Sequence, residues 1–135
     1  MDELNIYTDG GSRGNPGKSA IGIVMLDKDE KILLEHGEFL GVGTNNQAEY
    51  RAIIKALGLA KKFLPKSIYL FSDSELVIRQ LRGEYKINNQ ELLKLNKEVK
   101  GLEKNYAKVE YSNVRRENKF TSIADSLVNR ALDEN

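Results

Sequence analysis

The chain has 135 residues, of which 40% are hydrophobic and 30% charged, as in a globular domain long enough to bury a core. Its 21 Lys+Arg and 20 Asp+Glu leave a net charge of +1, which neither indicates nor excludes nucleic acid binding, because a local basic patch can steer a polyanion. The absence of cysteine excludes disulfides and thiolate metal sites.

No apolar run approaches the roughly 20 residues of a membrane span, and the acidic start, MDELNIYTDG, is unlike a signal peptide. We therefore expect one domain over residues 1–135, a monomer in the cytoplasm without membrane contact.

The first half of the chain predicts a three-stranded antiparallel meander followed by a helix. Alternating apolar and polar residues predict a strand over 4–9. Strands over 20–27 and 31–41 flank the turn DKDE and predict a hairpin. Over 46–64 the apolar residues recur at intervals of three and four, and Pro65 ends the predicted helix.

The second half predicts two further strands and three helices. The apolar run SIYLFSD predicts a buried strand over 67–73, followed by a helix over 74–81. An apolar stripe predicts a helix over 92–102, then come a strand over 107–114 and a helix over 122–133. The order β-β-β-α-β-α-α-β-α predicts an α/β protein, a mixed sheet with helices on its faces.

The stretch YTDGGSRGNPG, from Tyr7 to Gly17, has glycine or proline at five of its eleven positions. Such a segment indicates unusual backbone dihedrals or a close approach to another group. Asp9 lies within it, at the predicted carboxyl end of the first strand, where α/β sheets bind ligands. Asp-Gly is also a common turn pair, so turn chemistry alone explains Asp9.

Three other carboxylates stand out, each with a structural alternative. Glu49 shares a helical row with Ala52 and Ala56, which places a carboxylate on the core side at a cost unless its charge is compensated. A capping box with Asn46 as N-cap is the alternative for Glu49. Asp73 ends the fourth strand, and Asp125 opens the last helix, where an N-cap role is possible for each.

The four carboxylates point to chemistry as a set. Brought together at one end of a sheet, they repel one another and raise some of their pKa values, a conflict that divalent cations remove. Oxygen ligands without His or Cys favour Mg²⁺ or Mn²⁺. Two such ions roughly 4 Å apart form a clamp for attack of water on a phosphodiester.

Four segments, YTDGGSRGNPG, TNNQAEYRA, SDSELVIRQLRGEYK and IADSLVN, closely resemble ribonuclease H type 1 in order and spacing. The resemblance spans nearly the whole chain. It implies a ribonuclease H-like fold, with a five-stranded mixed sheet (three strands antiparallel, two parallel) flanked by helices. It also implies endonucleolytic cleavage of the RNA strand of RNA–DNA hybrids by a two-metal-ion mechanism, leaving 5′-phosphate and 3′-hydroxyl ends.

The resemblance assigns roles to particular positions. The family's four metal-binding, catalytic carboxylates match Asp9, Glu49, Asp73 and Asp125. Positions that contact the hybrid match a second set, in which Thr44 holds a phosphate of the DNA strand: Gly10, Gly11, Ser12, Asn15, Thr44, Asn45 and Asn46. The glycines then let the backbone and short side chains approach the sugar edge closely.

The sequence departs from the family pattern in several places. Many members carry a histidine before the last carboxylate, whereas this chain has Arg115, Arg116 and Glu117 there, and its only histidine, His36, falls on the third strand. The basic, tryptophan-bearing protrusion of some members is missing. About three extra residues before Asp125 predict a longer loop.

Three alternatives remain open. The first is a ribonuclease H-like nuclease acting on other nucleic acids, such as a transposase core or junction resolvase, although those usually carry extra DNA-binding domains. The second is a non-catalytic module that binds hybrids, whose expected mark is a lost carboxylate. The third is a nucleotide-phosphate loop, but GGSRGNPG lacks the G-x-x-x-x-G-K-[ST] pattern.

Overall fold

A computed structural model describes all 135 residues, and its elements follow the predicted order. Their bounds are β1 (Glu3–Gly14), β2 (Gly17–Leu26), β3 (Ile32–Gly43), α1 (Asn45–Leu59) continued by a 3₁₀ turn (Ala60–Phe63), β4 (Ser67–Ser72), α2 (Glu75–Leu81), α3 (Gln90–Glu103), β5 (Lys108–Asn113) and α4 (Lys119–Asp133).

The five strands form one mixed sheet in the order β3-β2-β1-β4-β5. β1, β2 and β3 are an antiparallel meander, while β4 pairs parallel with both β1 and β5. The predicted α/β fold, with a five-stranded sheet of this composition, is confirmed. None of the helices combines the length and the apolar character that a membrane crossing requires.

Helices cover both faces of the sheet. The larger core lies between the sheet and helices α1 to α3, where Leu4, Ile6 and Leu70 are fully buried. On the other face α4 packs alone, with Phe120 and Leu127 against Val24 and Leu26 of β2. β2 is therefore buried on both faces, which explains its nearly continuous apolar sequence.

β1 is longer than predicted. The strand was expected to end at Asp9, but its antiparallel pairing with β2 continues to Gly14, so most of the glycine-rich stretch is sheet and tight turn. The parallel pairing with β4 stops at the pair Tyr7–Phe71. Asp9 therefore lies inside β1, yet just beyond the carboxyl end of β4. It is at the sheet edge, as predicted, because β4 ends there and not because β1 does.

Two predicted helix starts are wrong. Thr44, not Asn46, is the N-cap of α1, because Thr44 and Gln47 form the capping box. Glu49 therefore has no capping role. α4 begins at Lys119 with Asn118 as its N-cap, so the residues expected to lengthen the loop before Asp125 instead add a turn of helix.

Close packing of α4 on β2 depends on Gly22. A Cβ added at Gly22 would overlap the carbonyl oxygen of Ala124 and lie 3.2 Å from the Leu127 Cβ. Gly58 is exposed on α1, and a Cβ added there meets nothing within 4 Å.

We expect Gly22→Ala to lower the free energy of unfolding by about 1–3 kcal/mol, since α4 must shift. Gly58→Ala, the matched control, should raise it by about 0.5–1 kcal/mol through helix propensity. Urea unfolding of both variants measures the difference, and a Gly22→Ala protein as stable as the wild type would contradict this packing.

Candidate active site

Three carboxylates from three elements meet at one edge of the sheet. Asp9 comes from β1, Glu49 from α1 and Asp73 from the residue that follows β4. One oxygen from each lies within 4.8 Å of the others. Asp9 and Glu49 are each only 8% exposed. The structure therefore brings together three of the four carboxylates chosen from the sequence, in the tight group that a cation site requires.

Gly10 explains how a helix comes close enough to supply Glu49. The Gly10 N–H donates to Glu49 Oε1 at 2.7 Å. A Cβ on Gly10 would overlap the carbonyl group of Ala48, so any other residue there would push α1 away from β1. The first glycine after Asp9 thus serves close approach of two backbones, rather than a turn.

Burial and mutual repulsion raise the pKa values of two of these carboxyls, Asp9 and Glu49. Burial is the largest cause for Asp9, followed by the Asp73 and Asp125 carboxyls, and together they raise the pKa of Asp9 to about 8. Burial, and then Asp9 and Asp73, raise the pKa of Glu49 well above its usual range. Near neutral pH the cluster therefore retains protons unless positive charge is supplied.

Arg116 supplies the nearest positive charge. Its Nε lies 3.3 Å from Asp73 Oδ2 and donates a hydrogen bond to that oxygen. The Arg116 side chain is 84% exposed, so this ion pair at the surface is weak. Of the three residues that stand where many family members have a histidine, Arg116 is the one that makes this contact.

Asp125 lies at the rim of the same cleft, outside the tight group. It is exposed on α4 and accepts a hydrogen bond from Asn129 Nδ2 at 3.3 Å. It is nevertheless close enough to Asp9 to raise the pKa of that carboxyl. The added helical turn before Asp125 thus leaves it facing the other carboxylates.

A polar cluster borders the carboxylates on the β1 side. Asn45 Oδ1 accepts from the Ser12 N–H at 2.8 Å and from Ser12 Oγ at 3.1 Å. The Asn45 N–H donates to Asn15 Oδ1 at 3.0 Å. Because both side-chain oxygens are used in this way, the amide N–H₂ groups of Asn45 and Asn15 are left to donate outward.

The cluster and the carboxylates line one cleft of about 360 Å³. Of the positions that the resemblance assigned to hybrid contact, it contains Gly10, Gly11, Ser12, Asn45 and Asn46. Asn15 and Thr44 line an adjoining pocket of about 210 Å³ with Asn46, Gln47, Asn89 and Leu92. The two pockets share Asn46 and form one continuous polar surface.

The sequence interpretation missed several residues of this surface. Asn129 stands four residues after Asp125, a spacing that places two side chains together on a helix and that the sequence did show. Asn89, which caps α3, reaches the second pocket from a distant part of the chain, and no local pattern reveals that. His36, expected on the third strand, pairs with Glu38 at 2.8 Å and lies away from the cleft.

A larger depression of about 590 Å³ lies between α2, α3 and β5. Its charged groups pair with one another, as Lys100 does with Glu103 at 3.2 Å. The buried, repelling carboxylates, and not the size of the depression, identify the candidate site.

The chain resembles known proteins over most of its length. Residues 7–131 match the family model described as reverse transcriptase-like. The chain is 39% identical to Ribonuclease HI of Halobacterium salinarum, over 97% of the chain and 65% of that relative. It is 37% identical to the Bifunctional protein Rv2228c of Mycobacterium tuberculosis, over 95% of the chain and 35% of that relative. The chain thus spans only part of the length of these relatives.

Solved structures give the same result. RNase H1 from Halobacterium salinarum matches with a TM-score of 0.93 at 38% identity, over 98% of this chain and 99% of that one. LC11-RNase H1, solved in complex with an RNA/DNA hybrid, matches with a TM-score of 0.92 at 34% identity, over 97% of both chains. On sequence and structure together, the chain belongs to the ribonuclease H type 1 family.

Proposed function

We propose that the chain is a metal-dependent endoribonuclease that hydrolyses the RNA strand of RNA–DNA hybrids, leaving 5′-phosphate and 3′-hydroxyl ends. The observation that carries the proposal is the convergence of Asp9, Glu49 and Asp73 within 4.8 Å at the floor of a polar cleft. One chain supplies all of these groups and Asp125, so a monomer suffices.

The donor set fits divalent cations. Asp9, Glu49 and Asp73 offer hard oxygen ligands, with Asp125 at the rim for a second ion, and this set favours Mg²⁺ or Mn²⁺ over metals that prefer nitrogen or sulfur. The raised pKa values of Asp9 and Glu49 show that the site lacks positive charge. When bound, a pair of such ions supplies charge stabilisation of the phosphodiester and activation of water.

The polar surface beside the carboxylates suits the minor groove of a hybrid. The outward amide groups of Asn45 and Asn15 are donors. Ser12 Oγ donates its hydrogen to the Gly14 carbonyl oxygen and keeps its lone pairs as acceptors, so the surface offers both partners of a ribose 2′-hydroxyl. LC11-RNase H1, which shares this fold, was solved with an RNA/DNA hybrid. We extend that substrate class to this chain and expect little base specificity.

Two further groups suit the phosphates. Thr44 caps α1 beside the second pocket, where the N-terminal N–H groups of a helix favour an anion of the DNA strand. Arg116 is exposed at the carboxylates, and its guanidinium can leave Asp73 for the phosphate of the RNA strand.

The direct test of the proposed function is cleavage of a strand-labelled RNA–DNA hybrid with Mg²⁺ or Mn²⁺. We expect cutting of the RNA strand alone, with 5′-phosphate ends, and none of duplex DNA, duplex RNA or single-stranded RNA. Asp9→Asn should remove the cutting and keep the fold. A folded protein that binds the hybrid but cuts nothing with either metal would instead support a non-catalytic binding module.

The carboxylates also make stability depend on pH. Because the folded pKa of Asp9 is about 8 and its unfolded pKa is about 3.9, the folded state keeps a proton that the unfolded state loses between about pH 4 and pH 8. Without metal, the free energy of unfolding should therefore fall as pH rises through this window.

In Asp9→Asn this fall should be much smaller, leaving the variant about 2–4 kcal/mol more stable than the wild type at pH 8. Mn²⁺ should stabilise the wild type at pH 8 and the variant far less. Urea unfolding across pH measures both effects, and equal pH profiles for the two proteins would contradict the repulsion.

Substitutions at Gly10 and Gly11 test whether the site needs a glycine for the close approach of α1 to β1 or only for a flexible backbone. Gly10→Ala should displace α1 and Glu49, lowering cleavage of the hybrid about 10- to 100-fold, since small displacements of catalytic groups are costly. At Gly11 an added Cβ has its nearest neighbour 3.8 Å away, at Val128 Cγ1. Gly11→Ala should therefore leave α1 and Glu49 in place and bind Mn²⁺ as the wild type does, whereas Gly10→Ala should bind Mn²⁺ more weakly. Equal Mn²⁺ affinities in both variants would refute this role of Gly10.

A further inference from the structure

A second cavity, of about 420 Å³, opens on the face of the sheet that α4 covers only in part. Its apolar walls are Tyr7 of β1, Phe71 of β4, Phe120 of α4 and Leu26 of β2. Tyr7 and Phe71 are only partly buried, so ring surface is accessible to solvent. None of these side chains belongs to the cleft described above.

Two of the aromatic rings are stacked, and a third is tilted against them. The Tyr7 and Phe71 rings are nearly parallel, with centroids 4.7 Å apart and an angle of 18° between their planes. The Phe120 ring centroid lies 5.3 Å from that of Tyr7, with the two ring planes tilted by 45°. A flat aromatic ligand in the cavity can pack against these rings.

Polar and basic groups surround the rings. Lys28 and Lys119 lie at the rim with a single carboxylate, Glu30, and the side chains of Asn5 and Asn118 face the cavity. Asn118 and Glu30 also act on the Tyr7 hydroxyl, whose pKa burial and Glu30 raise and Asn118 lowers. Amides can bond the edge of a nucleobase and lysines can neutralise its phosphate, while the rings stack on its face.

The cavity lies beside the carboxylate cleft, although the two have no lining residue in common. Tyr7 precedes Asp9 by two residues on β1, and Phe71 precedes Asp73 by two on β4, so each pair is about 7 Å apart along one face of the sheet. Arg116 lines the cleft and Asn118, two residues later, lines the cavity. A strand that leaves the carboxylates past Arg116 thus arrives at the aromatic stack.

We propose that this cavity binds an unpaired nucleotide of the RNA strand next to the hybrid, with its base stacked on the Tyr7–Phe71 column and its phosphate beside Lys28 and Lys119. The proposal rests on the proposed function, because the hybrid in the cleft delivers the strand. It makes the protein prefer hybrids at junctions with single-stranded RNA over blunt hybrids.

The test measures binding in the Asp9→Asn background, which prevents cleavage, with Mg²⁺ present. Fluorescence anisotropy compares a blunt hybrid with the same hybrid carrying a short single-stranded RNA extension at either end. We expect one extension to tighten binding about fivefold or more, the range that stacking of a base on aromatic side chains provides. Phe71→Leu, added to this background, should abolish the gain and leave the affinity for the blunt hybrid unchanged.

Tyr69→Leu is the matched control, because Tyr69 is a partly buried aromatic residue on the same face of β4 but outside the cavity. Tyr69→Leu should still bind the extended hybrid more tightly than the blunt hybrid. Equal affinity for blunt and extended hybrids, or a gain that survives Phe71→Leu, would overturn the proposal.

Binding of single-stranded RNA, measured without a hybrid, distinguishes failure of the proposed function from failure of the cavity proposal. If no hybrid binds, the proposed function fails. In that case, loss of single-strand binding in Phe71→Leu still supports the cavity, and unchanged or absent single-strand binding rejects it.

Discussion

The contact between Gly10 and Glu49 is the constraint on which the site depends. A helix must touch a strand closely enough for the Gly10 N–H to reach the Glu49 carboxylate at 2.7 Å. That contact places Glu49 beside Asp9 in a buried position, where neither carboxyl ionises at its usual pKa. The fold thus holds an arrangement that is unfavourable by itself and becomes favourable when a divalent cation binds.

The sheet topology also positions the other two carboxylates, Asp73 and Asp125. β4 stops one residue beyond its last pair with β1, so Asp73 emerges beside Asp9 at the exposed edge. α4 crosses the opposite face and brings Asp125 to the rim. Because α4 is the only helix on that face, part of the sheet stays uncovered, and there the aromatic side chains of β1 and β4 remain accessible. Both the cleft and the cavity are present because the helices cover the two faces of the sheet unequally.

Much of this organisation could be predicted from the sequence, because alternation and helical periodicity report burial directly. The burial of Glu49 followed from the apolar row it shares with Ala52 and Ala56. The extension of β1 to Gly14 could not be predicted, since glycine and serine in a strand resemble a loop until their pairing with β2 is known. Tertiary geometry, which no local pattern encodes, makes Thr44 rather than Asn46 the N-cap of α1. It also decides that Arg116 contacts Asp73.

Near neutral pH, Asp9 and Glu49 retain a proton that a divalent cation displaces when it binds. Calorimetric titration of Mn²⁺ into the protein near pH 7, in two buffers with different ionisation enthalpies, counts the protons released on binding. We predict that Mn²⁺ binds with release of protons, and that Asp9→Asn reduces both the affinity and the release. Tight binding without proton release, or binding that Asp9→Asn leaves unchanged, would contradict the account.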